Sequence, residues 1–308
     1  MSTATPGITE KPPATRDELL ARMDAGWRPF QMKVWTLDAK AMARPTPAGW
    51  TYTQMLAHVS AWHDLTARRL RTFATSGTQE PAEDADAFNA RVAREATGRT
   101  RDEILRELDR SAKDLRGAVE ALTDEQVVRD TRDTPQGPAG WAVAVVAGNS
   151  YGHYEEHVDD MRAVLPSSAA ELANRLDDAW AGFREEIRHL GREGLSRTTA
   201  TGWTKKDLLA HVIGWIQDVP ARLTSLRDGT FKPIGGQAGI DAFNAKSVAD
   251  RKLVGPEAIL DELDASYRLT RAAVVAMSAR EVADPRTLVV VATRTYLHWE
   301  EHEPELRS

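Results

Sequence analysis

Residues 147–157 read AGNSYGHYEEH, ending in the pair His153 and His157, and residues 298–302 read HWEEH, ending the same way with His298 and His302. On an α-helix, residues four apart stand one turn above each other on one face, with Cβ atoms roughly 5–6 Å apart. Two imidazoles so placed can converge on one ion. A divalent metal about 2.0–2.1 Å from each nitrogen needs a third ligand, and each half of the chain supplies a candidate: His58 in LAHVSAW and His211 in LAHVIGW. The expected metal ligands are therefore His58, His153 and His157 in the first half and His211, His298 and His302 in the second.

Working outward from these motifs, the chain repeats itself. Shifted by 153 positions, Thr15 and Glu18 fall on Ser168 and Glu171, Trp27 on Trp180, Phe30 on Phe183, Trp50 on Trp203, His58 on His211 and Trp62 on Trp215. After a small slip, DAFNA at Asp86 recurs at Asp241, and Ile104, Leu105 and Leu108 recur as Ile259, Leu260 and Leu263. A deletion before the last helix then brings His153 and His157 onto His298 and His302. One domain has been duplicated, with the join near Leu165 to Ser168.

Each half carries four long stretches with apolar residues at helical spacing. Leu19, Leu20, Met23, Trp27 and Phe30 form the first stripe, running to about Leu37, and Met55, Leu56, Val59, Trp62 and Leu65 the second. Thr15 with Glu18, Thr51 with Gln54 and Thr100 with Glu103 are capping boxes that open three of the helices. The fourth is expected as one helix from about Trp141 to Val164, after a loop containing Pro135 and Gly137. EDADAFNARVARE is a short helix in a looser stretch from Thr75 to Gly98. The run LVVVA near Leu288 is locally strand-like, yet it aligns with helix in the first copy and is assigned to the buried start of the last helix. The expectation is all-α: a loose tail over 1–14, a four-helix bundle over 15–165 and a second over 166–308.

Composition narrows the function. With 308 residues, 42% hydrophobic, 28% charged and a net charge of −6, the chain reads as soluble and is not built for nucleic acid or an anionic membrane. It contains no cysteine, so any thiol in its chemistry arrives as a co-substrate. No leader or membrane-length apolar run is evident, which makes the cytoplasm the expected location.

A lone histidine is most simply a buried ring bonded to a carbonyl. Three per half, on apolar stripes and in the same order twice, are most simply satisfied by coordination. His63 and His189 lack counterparts and read as surface residues or supports of the site. Asp218, seven residues after His211, lies two turns along the same face and is the candidate base; its counterpart is Leu65. Asn149 precedes His153 by one turn where the second half has Arg294. Asn89 and Asn244 of the repeated DAFNA are given a structural role. H-x-x-E-H also matches the inverted zinc-protease signature, with Glu156 and Glu301 as bases, but a compact bundle offers no peptide cleft. These acids, with Glu155 and Glu300, are assigned to a solvated face.

The W-x-x-x-x-x-L-A-H pattern at Trp50–His58 and Trp203–His211, with the two H-x-E-E-H strings, resembles the DinB-like, or YfiT-like, superfamily as a tandem pair. The FNA segment and AGNSYGHYEEH resemble its ClbS/DfsB branch. The resemblance implies four-helix bundles that hold a metal on the six histidines, zinc by default and nickel or iron as alternatives. It further implies an enzyme acting on a small electrophilic metabolite, by hydrolytic ring opening or by transfer of a low-molecular-weight thiol, for detoxification, self-resistance or biosynthesis. The competing reading is a non-catalytic binder that sequesters a small molecule against Trp50, Trp62, Trp203 and Trp215.

Overall fold

A computed structural model describes residues 11–134 and 137–307. Of the expected tail, residues 1–10 lie outside the described residues, as does Pro135 of the loop before the fourth helix; residues 11–14 have no regular structure. The chain divides into two compact units, 1–164 and 165–308. Both are helical, and the described residues contain three isolated β-bridges and no strand.

The first unit contains α1 (Arg16–Val34), α2 (Ala39–Met42), α3 (Tyr52–Ser76), α4 (Ala85–Glu95), α5 (Arg101–Glu120), α6 (Asp124–Val128), α7 (Trp141–Asn149) and α8 (Tyr151–Met161). Its centre is α3, which packs on α4, α5 and α7, while α1 packs on α8 and α5. Leu19, Leu70, Phe73, Leu115, Val119 and Val146 are fully buried between these helices. Each such side chain removed from water stabilises the fold by about 1.5–3 kcal/mol. The caps at Thr51/Gln54 and Thr100/Glu103 form as reciprocal boxes. At the first helix Thr15 caps Glu18 N, but the Glu18 carboxylate reaches past it to the amide of Ala14. Helix α1 ends at Val34, one turn short of the expected Leu37.

The second unit repeats the plan with α9 (Ala169–Ile187), α10 (Arg192–Ser196), α11 (Lys205–Arg227), α12 (Gly236–Asp250), α13 (Pro256–Val275), α14 (Ala279–Ala283), α15 (Pro285–Arg294) and α16 (Tyr296–Arg307). Here α11 is central, against α12, α13 and α15, and α9 packs on α16 and α13. The strand-like LVVVA lies in α15 and is helical, with Leu288, Val290 and Val291 buried.

One expectation fails in both copies at the same place. The fourth helix of each bundle is two helices, α7–α8 and α15–α16, broken at Ser150 (φ −138°, ψ −107°) and at Thr295 (φ −129°, ψ −106°). The Ser150 hydroxyl donates to Val146 O at 2.6 Å and that of Thr295 to Val291 O at 2.6 Å. The hydroxyl takes a carbonyl of the preceding turn at each break, a bond that Ser60 also makes to Leu56 O within the unbroken α3. The break lets the histidine-bearing half of the element take its own direction.

That half is fixed at both ends. At its start, Gly26 of α1 faces Tyr151, and a Cβ there would stand 2.6 Å from the Tyr151 Cβ. Towards its far end, the Tyr52 hydroxyl donates to Asp160 O at 2.6 Å; in the second unit the buried Lys205 ammonium does the same to Leu306 O at 2.8 Å. Replacing Gly26 by Val should therefore push α8 off α1 and cost roughly 1–3 kcal/mol despite the better helix former. Urea unfolding of the Gly26→Val chain measures the loss, and unchanged stability would contradict the close approach.

Candidate metal centres

A turn repeated at a spacing of 153 residues prepares each site. Thr46 N bonds to Trp50 O at 2.6 Å and Thr199 N to Trp203 O at 2.7 Å, each turn passing through a glycine at φ 88°, Gly49 and Gly202. Left-handed backbone of this kind is open to glycine at no steric cost. The turn sets Trp50 against His58 and Trp203 against His211, ring centroids 5.1 Å apart in both cases. Helices α3 and α11 then present His58 and His211, and α8 and α16 present the histidine pairs.

The six predicted histidines form two clusters, His58–His153–His157 and His211–His298–His302, each offering three nitrogens within 4.8 Å of one another. In the first, His58 Nε2 lies 2.9 Å from His153 Nε2, which lies 3.0 Å from His157 Nε2. In the second, His302 Nε2 lies 3.2 Å from His211 Nε2. Two nitrogens about 2.0–2.1 Å from a common ion stand roughly 2.9–3.4 Å apart for angles between square and tetrahedral. The spacings fall in that range. Hydrogen bonding alone fits less well, because a single N–H on His153 can serve only one of its two neighbours.

The outer nitrogens show which side faces the cluster. His157 Nδ1 lies 3.1 Å from Asp160 Oδ2, and His302 Nδ1 lies 3.2 Å from Glu305 Oε1. Nδ1–H donated to a carboxylate leaves the Nε2 lone pair pointing inward, the arrangement that orients metal-ligating histidines. His298 Nε2 is buried with no hydrogen-bond partner. The donor set therefore suits a divalent ion in each unit.

Burial also favours the neutral form of His58, His153, His211 and His298. Desolvation, with His157 adding to it, pulls the His58 pKa down to about 4, and the Asn89 side chain opposes it. His211 sits at about 4 for the same reasons, with His302 and Asn244 in the corresponding places. His153 is pulled to about 2 and His298 lies well below its ordinary value, again mainly through burial. Neutral imidazole is the form that binds metal. Asn89 and Asn244 keep the structural part expected of them, accepting from Trp62 and Trp215 Nε1 at 2.9 Å each, and stand beside the site as well.

The second triad lines a cavity of roughly 730 Å³ with Trp203, Trp215 and Arg294. Asp218, expected as a base, does not line it. Its Oδ2 accepts from Arg222 Nε at 2.8 Å and from Arg294 Nε at 2.9 Å, so the carboxylate is engaged by two guanidiniums away from the cavity lining. Spacing alone placed Asp218 on the histidine face; of the two arginines that engage it, Arg222 lies four residues on in α11 and Arg294 comes from α15. Glu156 is exposed, whereas Glu301 borders the cavity with a side chain 72% exposed, 4.0 Å from His298 Nδ1.

His63 is not a surface residue. It is fully buried, with Nε2 2.7 Å from the Tyr154 hydroxyl and Nδ1 3.1 Å from Ser111 Oγ, which in turn donates to Leu108 O at 3.0 Å. Burial raises the Tyr154 pKa, so the phenol keeps its proton and donates, and His63 passes its own N–H to Ser111. The matching positions in the second unit are Ile216, Trp299 and Ser266, so this network belongs to the first copy alone. Asp160 and Glu305 were missed by sequence reasoning. An acid three residues after the last histidine in both copies, HVDD and HEPE, was the available signal.

Comparison with known proteins gives a different family model for each unit. Residues 14–157 match the family model of the DinB superfamily, and residues 176–302 match that of the mycothiol maleylpyruvate isomerase N-terminal domain. No curated protein and no solved structure matches.

Two predictions follow from the carboxylates and the buried ring. Asp160→Asn and Glu305→Gln should each weaken zinc binding about 10- to 100-fold in their own unit, read by competition with a chromogenic chelator; unchanged affinity would remove the carboxylates from the site. His63, held at about 3 against an ordinary value of 6.5, is a base depressed by folding. Its stabilisation is complete above pH 6.5 and is lost as pH falls towards 3, because the unfolded chain then binds the extra proton. Between pH 6.5 and 4, metal-free His63→Gln protein should lose roughly 1.4 kcal/mol less stability per pH unit than wild type. Parallel slopes in denaturant melts would contradict this.

Proposed function

From a chain that joins a DinB-superfamily domain to a second domain of the mycothiol maleylpyruvate isomerase N-terminal type, we propose a metal-dependent enzyme that transforms a small electrophilic molecule in the cavity of the second unit. The observation that carries the proposal is the convergence of His211, His298 and His302 on the wall of a cavity of roughly 730 Å³. That volume lies within the range of small-molecule sites, about 300–1,000 Å³.

His211, His298 and His302 would hold the ion through neutral nitrogens, and Glu305 would keep His302 turned towards it. A divalent metal at three histidines supplies a Lewis acid that polarises a substrate oxygen and makes water or a thiol more acidic. Trp203 and Trp215 give the pocket apolar walls, and Asn244, bonded to Trp215, fixes the second of them. The chain has no cysteine, so a sulfur nucleophile would come from an external low-molecular-weight thiol. The match of the second unit to a mycothiol-named domain supports that version. Hydrolytic ring opening, which the ClbS/DfsB resemblance implies, uses water at the same position. The peptidase reading gains no support from the exposed Glu156.

A mass-spectrometric screen of electrophilic metabolites, with and without thiol, tests the proposal. Product formation should require metal, stop on chelation, fall at least about 100-fold in His298→Ala and persist in His153→Ala. Saturable binding without product, indifferent to chelator, would replace the enzyme by a sequestering protein with Trp203 and Trp215 as its walls.

A further inference from the structure

The two units differ most in charge beside the site. In the second unit Arg294 lines the cavity with the triad, its side chain only 10% exposed. Its guanidinium carbon lies 5.3 Å from the centre of the Trp215 ring, which is itself packed on Phe243 at 4.5 Å. Nε donates to Asp218, and Nη1 makes only a long contact of 3.5 Å with Thr293 Oγ1. The same Asp218 oxygen also accepts from Arg222, whose Nη1 is tied to Lys232 O at 2.5 Å. One carboxylate thus stands between two guanidiniums, and the group of three retains a positive charge. Burial draws the Arg294 pKa down while Asp218 props it up, as expected of a cation short of negative partners.

Besides the histidines, the other charged side chains on the cavity wall are two carboxylates. Glu305 is engaged with His302 Nδ1 and the Thr201 hydroxyl, at 3.2 and 2.9 Å, and Glu301 is turned largely to solvent. Arg294 is the arginine of that wall, and its Nε is fixed on Asp218. A planar guanidinium with its Nε occupied presents its remaining N–H groups to an oxyanion. In the first unit the matching positions are Asn149 in place of Arg294 and Leu65 in place of Asp218. Neither carries charge, and Asn149 spends its amide on Val145 O at 2.9 Å.

We propose that Arg294 is the specificity residue of the second site, receiving a carboxylate on the substrate while the reacting end lies at the histidine triad, with Asp218 as the residue that positions the guanidinium. This rests on the functional reading above and adds a substrate class to it: small molecules with an anionic group at one end. The duplicated first site has lost or never held this requirement.

Hydroxamates separate the two ideas, because the hydroxamate head anchors on metal and the tail can be varied. Zinc-loaded full-length protein is titrated calorimetrically with hydroxamates carrying two to five methylenes and ending either in a carboxylate or in the corresponding carboxamide. The best carboxylate should bind at least about tenfold tighter than its amide partner, at one site per chain, and Arg294→Gln should erase the preference while still binding the amide. Equal affinity for acid and amide in wild type would overturn the assignment and leave the metal reading standing, without recourse to any variant. A preference that survives in Arg294→Gln would overturn it too. Hydroxamate binding that ignores zinc, or no binding at all, would remove the metal reading and this inference with it.

Discussion

Taking imidazole out of water without protonating it is the constraint around which both units are built. His58, His211 and His298 are each less than a tenth exposed, and burial lowers the pKa of every one. A buried ring has two nitrogens to satisfy; here Nδ1 of His58, His153 and His211 is buried with no hydrogen-bond partner, and the Nε2 atoms face one another rather than carbonyls or hydroxyls. An ion resolves that conflict, since it accepts three lone pairs at once. His63 shows the alternative solution within the same protein: both of its nitrogens find oxygen partners, in Tyr154 and Ser111, and no cluster forms around it.

The backbone serves the same end. The breaks at Ser150 and Thr295 free α8 and α16 to direct their histidines at α3 and α11. A phenol in one unit and an ammonium in the other then hold the far end of the histidine helix. Duplication has preserved this geometry while changing its chemistry: Tyr52 became Lys205, the His63–Tyr154 pair became Ile216 and Trp299, and a neutral Leu65 with Asn149 became Asp218 with Arg294, or the reverse. The histidines, the tryptophans packed on them and Asn89/Asn244 are kept, and the anchor of the histidine helix and the charge beside the triad have diverged.

Much of this was legible in the chain because the repeat supplied its own control. The helical stripes, the reciprocal caps at Thr51 and Thr100, and the histidine groupings all recur, and a pattern seen twice in one register is hard to produce by chance. The helix breaks were not legible, since a hydroxyl in an apolar run such as VVAGNSYG is equally at home in a continuous helix, as Ser60 is in α3. For Asp218, helical spacing reports which residues share a face: its partner Arg222, four residues on, was within reach of that reading, whereas Arg294 arrives from a different helix. His63 misled for the opposite reason. Its lack of a counterpart suggested the surface or a support of the site, and the first copy pairs it in the core with Tyr154, the neighbour of His153.

The central claim is that each triad holds a metal ion, and metal analysis of untagged protein tests it most directly. Two divalent ions per chain are expected after loading with zinc, one lost in His153→Ala and the other in His298→Ala, with both variants still folded by circular dichroism. A folded wild-type chain that takes up no stoichiometric metal, or one whose metal content is the same in both variants, would contradict it.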